Sequence, residues 1–422
     1  MKIDKITSKI GVECVKAVLD NGLEIYVVER SEYSSAYALF GTKYGSIDTR
    51  FSRDSVNFTE VPEGIAHFLE HKLFESEDGD AFTRYAKTGA YANAYTSFDR
   101  TCYLFSCTSK FKENFEILLD FVQSPYFTAK TVKKEQGIIG QEIRMYEDSP
   151  SWRVMFNMLA AMYENHPVRI DIAGTTESIA KIDDKLLYEC YNTFYHPSNM
   201  FICVAGNIKA DDIIAQASSL IKKKDKAQIY RGTFKEKEGV LKPYTEQFLQ
   251  VAQPLFCYGF KINCTEPVMN VRDKIGFQLA LELLAGDNSD LYEALINEGL
   301  VNDEFETEVF TGFGYAAILF SGESRFPERV KDAIDKEISD MLERGINNKL
   351  FEAVKRGMYG DAVKRFNSVE AIASQLSECA VSGETVFDDL KVLSDISAND
   401  ILTYLKMLKN DNSVLSVVKN KE

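Results

Sequence analysis

The segment Phe105-Ser106-Cys107-Thr108-Ser109-Lys110-Phe111-Lys112-Glu113 has a counterpart later in the chain, Phe320-Ser321-Gly322-Glu323-Ser324-Arg325-Phe326-Pro327-Glu328. Upstream of each, Gly64 precedes Phe105 by 41 positions and Gly276 precedes Phe320 by 44. A repeat on this scale constrains the chain more than local propensity does, because both copies must fold to one topology. In this register His67 faces Leu279, Glu70 faces Glu282 and His71 faces Leu283. One copy of a duplicated α/β unit therefore carries polar chemistry where the other carries core leucines. A length of 422 residues leaves room for the two or three domains this implies.

Local patterns fill in the unit. Leu23–Val28 after the turn Asn21-Gly22, Ala36–Phe40 and Thr101–Cys107 read as strands. His67, Phe68, His71 and Phe74 recur at helical spacing, which predicts a helix over 64–74. Further helical stretches surround Phe115–Phe121 and Val132–Tyr146. Between Lys209 and Tyr244 the chain turns charged, with Lys222-Lys223-Lys224-Asp225-Lys226 inside it, and this is the expected hinge between the halves.

Composition excludes several classes of function. Hydrophobic residues at 45% and charged residues at 27% describe a globular chain. A net charge of −15, with no basic cluster of the kind that tracks phosphates, argues against nucleic acid and anionic membranes as partners, and leaves a weak preference for basic peptides. Met1–Ile6 has no apolar targeting core, and no stretch approaches the length of a membrane span. The eight cysteines form no C-x-x-C, and most sit in apolar runs such as Phe201-Ile202-Cys203-Val204. Reduced core thiols in a cytoplasmic protein are the expectation.

Two of the four histidines fall within His67-Phe68-Leu69-Glu70-His71. On a helix, positions i and i+4 lie one above the other, so both imidazoles can share one metal ion. Glu70 stands beside that face, where a carboxylate can take a proton from an attacking water. Catalytic zinc takes three protein ligands and keeps one position open, and this H-x-x-E-H order is the inverse of the commoner H-E-x-x-H. The third ligand has to come from another element. Glu135 and Glu142 are seven residues apart, nearly two helical turns, so they point the same way, whereas Glu147 is rotated off that face. The same spacing suits a solvated charged face, and geometry alone leaves the choice open. Gly137 and Gly140, unfavourable inside a helix, suggest close packing of another backbone there.

The segment Glu63-Gly64-Ile65-Ala66-His67-Phe68-Leu69-Glu70-His71, then Gly89, Asn93-Ala94-Tyr95-Thr96, Asp99, Thr101 and Tyr103, then Glu135 through Glu142, resembles the insulinase/pitrilysin and mitochondrial processing peptidase superfamily. His166-Pro167 with Gly174-Thr175, and Tyr195-His196-Pro197-Ser198-Asn199-Met200, extend the resemblance over essentially the whole chain. It implies an α+β fold of two homologous domains, each a mostly antiparallel sheet packed with helices. The expected division is a zinc-bearing domain over 1–215, a linker over 216–240 and a metal-free domain over 241–422. It also implies that His67, His71 and Glu142 bind Zn2+, that Glu70 is the general base, and that Glu135 orients ligands or shuttles protons. Asn93, Ala94 and Tyr95 resemble the edge strand that pairs with an extended peptide substrate.

Members of this superfamily enclose peptides between two halves, supplied by one long chain or by two chains of this size. The resemblance therefore implies a homologous partner subunit, with a heterodimer expected ahead of a homodimer. One departure stands out. The family's second domain supplies an Arg and a Tyr that stabilise the developing charge on the substrate carbonyl, and Leu295-Ile296-Asn297-Glu298-Gly299-Leu300-Val301-Asn302-Asp303 contains neither. The expectation is a zinc endopeptidase subunit acting on short or unfolded peptides with a partner that carries the missing pair. The alternative is a non-catalytic peptide-binding or scaffolding subunit. A third reading, two satisfied core histidines and no metal, has to explain how an adjacent glutamate is buried with them.

Overall fold

The apolar runs assemble into two large sheets. The computed structural model describes residues 1–77, 79–263 and 266–421. In it the first sheet joins β1 (Lys2–Thr7), β2 (Glu13–Val18), β3 (Glu24–Glu29), β4 (Ala36–Thr42), β5 (Tyr91–Thr96), β6 (Thr101–Cys107) and β7 (Met200–Gly206) in the order β1-β2-β3-β7-β4-β6-β5. The second joins β8 (Tyr244–Phe248), β9 (Leu255–Lys261), β10 (Glu306–Gly312), β11 (Tyr315–Glu323) and β12 (Ser413–Lys419) in the order β8-β12-β9-β11-β10. β4 and β7 are buried at every residue, which is why they read as unbroken apolar runs rather than alternating ones.

The two sheets repeat one topology. In the first, β3 and β7 are parallel and β7-β4-β6-β5 are successively antiparallel. In the second, β8 and β12 are parallel and β12-β9-β11-β10 are successively antiparallel. Phe105 of β6 lies opposite Ala38 and Ala92, and Phe320 of β11 lies opposite Tyr258 and Thr307, at equivalent places in the two sheets. The fold is thus α+β and duplicated. Helix α1 (Ile65–Leu73) lies in the chain between β4 and β5, and helix α4 (Val271–Ala285) lies between β9 and β10. In the register of the repeat, Leu279 and Leu283 of α4 are buried where α1 has His67 and His71.

Two compact units result, and neither is one continuous stretch. One spans Met1–Ile143, Asp171–Thr233 and Val363–Phe387; the other spans Arg144–Ile170, Phe234–Ala362 and Asp388–Glu422. The passage at Thr233–Phe234 falls inside the expected 216–240 linker, although residues 216–220 belong to the helix Ala210–Leu220. The other crossings come from helices. α3 (Pro150–Met162) packs on β8, β9 and β12, while α5 (Val369–Ser382) packs on β3, β4 and β7. Those two strand sets are topological equivalents, so the copies trade matching helices. A helix's apolar stripe says that it must be covered but not by which sheet.

The start of α1 is fixed by backbone. Gly64, its N-cap, has φ +85°, and a Cβ there would lie 2.3 Å from the Ala173 carbonyl oxygen. Gly174 returns the contact, its own Cβ position lying 2.6 Å from the Glu63 oxygen, and the Ser178 hydroxyl donates to that oxygen at 2.9 Å. Every residue of α1 except His71 is buried. Helix α2 (Ala129–Glu147) carries Glu135 and Glu142. Its Gly137 does not meet the expectation of a closely packed backbone: nothing lies within 4 Å of a Cβ there, because the residue faces solvent, whereas Gly140 is buried.

The remaining two histidines are structural. His166 and His196 each accept a backbone N–H on Nδ1 to cap a 3-10 turn that begins at the following proline. His166 Nε2 donates to the Phe313 oxygen at 3.0 Å, and the ring packs near Tyr163, Phe234 and Tyr315. Among the described residues, seven cysteines are buried and form no disulfide, while Cys264 lies outside them. No helix among the described residues is long and apolar enough to cross a membrane.

Two predictions follow from this packing. Gly64→Ala should destabilise by about 1–3 kcal/mol through the left-handed backbone alone, whereas Gly137→Ala should stabilise by up to about 1 kcal/mol; urea denaturation of both variants checks the contrast. Burial, only partly offset by the hydrogen bond to Phe313 and the charge of Glu236, pulls the His166 pKa from 6.5 down to about 4. The folded state then binds fewer protons than the unfolded one below pH 6.5. Stability should be full above that value and fall by on the order of 3 kcal/mol as pH drops toward about 4. A denaturation series across that window, flattened in His166→Gln, is the check.

Candidate active site

α1 and α2 bring the sequence-separated candidates together. His67 and His71, one helical turn apart on α1, have ring centroids 4.6 Å apart. Glu142 of α2 faces both of them. Its Oε1 lies 3.6 Å from His67 Nε2 and its Oε2 lies 3.5 Å from His71 Nε2. One ligand atom from each of the three residues lies within 4.8 Å of the others. Ligand atoms placed tetrahedrally at about 2.0–2.2 Å from one ion stand roughly 3.3–3.6 Å apart, which matches the two imidazole–carboxylate separations. Glu147, rotated off this face, is exposed.

The surroundings suit a cation. Glu135, 6% exposed, places Oε1 at 3.0 Å from His71 Nδ1. A carboxylate at that position draws the proton to Nδ1 and leaves the Nε2 lone pair turned toward Glu142. Burial alone would lower the pKa of His71, but the Glu135 hydrogen bond and then the charges of Glu70, Glu142 and Glu135 outweigh it and raise the value. The field of the site is therefore negative. His67 Nδ1 is buried with no hydrogen-bond partner among the described residues. The donor set fits zinc: two imidazoles and one carboxylate.

Glu70, also on α1, is 9% exposed and accepts a hydrogen bond from the Thr96 hydroxyl at 2.7 Å on Oε2. Thr96 closes β5, which is the edge strand of the first sheet. The expected substrate segment thus lies on a sheet edge beside the carboxylate. Asn93 is exposed and its Oδ1 accepts from the Ala94 N–H at 2.9 Å. The Tyr95 hydroxyl lies 3.5 Å from Ser377 Oγ on α5, so its side chain is engaged away from Glu70. Reading the sequence by residue type passed over Thr96, since threonine is ordinary in a strand. The signal present was position: it ends the strand that the resemblance singled out.

Polar side chains of the 295–303 stretch are engaged locally: Glu298 pairs with Arg329 at 3.1 Å and Asn302 donates to Glu323 at 3.0 Å. The stretch runs from the end of the helix Asp290–Asn297 through Gly299, at φ +64°, to Leu300 and Val301, both buried.

Comparison with known proteins gives the family and the fold. Residues 55–176 match the insulinase family of peptidases, M16, and residues 181–358 match the M16 inactive domain. The zinc protease YmfH of Bacillus subtilis is 44% identical over 395 residues, covering 91% of each chain. An M16-like peptidase from Alicyclobacillus acidocaldarius, 33% identical, superposes with a TM-score of 0.93 over 99% of this chain and 100% of that one. Pitrilysin shares the fold at 16% identity and a TM-score of 0.76, with all of this chain covering 47% of its length. Fold and relatives agree, and the chain belongs to the insulinase family of peptidases, M16.

Proposed function

We propose that this chain is the zinc-bearing subunit of a metalloendopeptidase that cleaves short or unfolded peptides in a chamber completed by a second, homologous chain. The observation that carries the reading is the convergence of His67 Nε2, His71 Nε2 and the Glu142 carboxylate, with Glu70 alongside. The names of the relatives, zinc proteases, support the choice of metal. Zinc held by these three residues supplies Lewis acidity at the scissile carbonyl and lowers the proton affinity of water.

The chain's own residues do the rest. Glu70 takes the proton from the attacking water and delivers it to the departing amine nitrogen as the C–N bond breaks. Glu135 fixes the orientation and tautomer of His71, and thereby the direction of its Nε2 lone pair. Asn93, Ala94 and Tyr95 form the segment that holds an extended peptide along the open edge of β5, with the backbone of Ala94 turned outward to bond it, and such main-chain hydrogen bonds give affinity without demanding a particular sequence. The absence of Arg and Tyr from Leu295–Asp303 and the match of residues 181–358 to an inactive domain both support a partner that completes the site. So does the coverage of pitrilysin, about half of its length. A net charge of −15 favours basic peptides, and buried thiols outside any disulfide suit a reducing compartment such as the cytoplasm.

The test is zinc analysis together with turnover of a quenched peptide, for wild type and Glu70→Gln, with and without the co-purifying homologous subunit. Near-stoichiometric zinc is expected in both forms, with turnover only when the subunit is present and reduced by about 10²- to 10⁴-fold in the variant. Undiminished cleavage by Glu70→Gln would exclude Glu70 as the base, and full activity of the isolated chain would exclude the partner. A zinc-loaded pair that binds peptide and never cuts it would establish the scaffolding alternative.

A further inference from the structure

We propose that Thr96 is a positioning residue that ties the peptide-binding edge of β5 to the general base, so that one residue sets both the register of the bound peptide and the aim of Glu70. This rests on the peptidase reading above. Two independent observations meet at Thr96. The first is its hydroxyl, which donates to Glu70 Oε2 at 2.7 Å and is the one hydrogen bond to that carboxylate among the described residues. Holding Oε2 leaves Oε1 to receive the proton from water. The Thr101 hydroxyl, donated to the Tyr44 oxygen at 2.9 Å, lies 3.4 Å from Thr96 Oγ1 and closes the rear of the arrangement.

The second observation concerns backbone direction. The Ser97 N–H donates to the Arg100 oxygen at 2.8 Å, and β5 continues in register with Tyr95 opposite Cys102 and Thr96 opposite Thr101. Hydrogen-bonded pairs alternate along an antiparallel ladder. The inward-bonding positions are therefore Tyr91, Asn93, Tyr95 and Ser97, and the backbone groups of Ala92, Ala94 and Thr96 face the open edge. The Ala94 N–H bears this out: it bonds to the Asn93 side chain rather than to β6. An added strand that displaces the Asn93 amide from Ala94 pairs next with Thr96, two residues along on the same edge. The peptide is then placed relative to Glu70 through a single residue rather than across a flexible connection.

Thr96→Val keeps the shape and the backbone and removes the hydroxyl; Thr96→Ser keeps the hydroxyl. With the zinc-loaded chain and its partner, Thr96→Val is expected to lower kcat by about ten- to a hundredfold at unchanged KM and zinc content, and Thr96→Ser to recover it to within a few-fold. On the zinc-depleted chain, a labelled extended peptide should bind Thr96→Val as it binds wild type, and Ala94→Pro at least about tenfold more weakly, because proline removes the outward N–H. The proposal is overturned by wild-type kcat in Thr96→Val, by loss of peptide binding in step with kcat, by failure of Thr96→Ser to rescue, or by undiminished binding to Ala94→Pro. If Glu70→Gln is inactive while Thr96→Val is fully active, only this inference fails. If Glu70→Gln is active, the assignment of the base fails first.

Discussion

The chemistry of this chain depends on the facing of two helices. α1 carries two imidazoles and a carboxylate; α2 brings two further carboxylates to within 3.0–3.6 Å of those imidazoles. Three acidic groups beside two imidazoles, all at least partly buried, form an arrangement that a protein interior tolerates only with charge compensation. A divalent cation held by two rings and one carboxylate would supply it. The remaining acids keep distinct partners: Glu135 on His71, Glu70 on Thr96. Each helix is in turn held by elements that do no chemistry. The backbone contact between Gly64 and the Ala173–Gly174 turn sets where α1 begins, and with it the phase of His67 and His71.

Duplication explains why such a site can sit inside an otherwise ordinary core. The second copy keeps the order and sense of five strands and retains a helix in the place of α1, but fills it with Leu279 and Leu283. Leucines at those positions cover the sheet without any need for a partner helix bearing carboxylates. The copy with histidines carries the burden of compensation, and it alone among the described residues gathers three groups placed to hold a metal ion. The exchange of α3 and α5 between the copies adds a second consequence. Neither unit closes its core with its own stretch of sequence alone, so the folding of each depends on segments from both halves.

Much of this was legible in the sequence, and what was not has physical reasons. The strands over Ala36–Phe40 and Thr101–Cys107 and the helix around His67 were readable because burial imposes a period. The repeat was readable from Phe105 and Phe320, which occupy equivalent places in their sheets. Glu135 and Glu142 share a face at a spacing of seven residues, but that spacing also fits a solvated surface, and only the position of α1 gives it meaning. The helix exchange left no mark, since an amphipathic stripe does not name its partner. Gly137 misled because a glycine in a helix is not always there to admit a neighbour. Thr96 stood in the motif that carries the resemblance but received no role, because its importance lies in one hydroxyl 2.7 Å from Glu70.

The central claim is that α1 and α2 build one three-ligand zinc site. Anomalous diffraction at the zinc edge from crystals of the zinc-loaded chain tests it directly. The account predicts a single strong peak about 2.0–2.2 Å from His67 Nε2, His71 Nε2 and a Glu142 oxygen, with Glu135 on His71 Nδ1 and off the metal. A peak ligated elsewhere, a peak with Glu135 in place of Glu142, or no ordered ion between the two helices would contradict it.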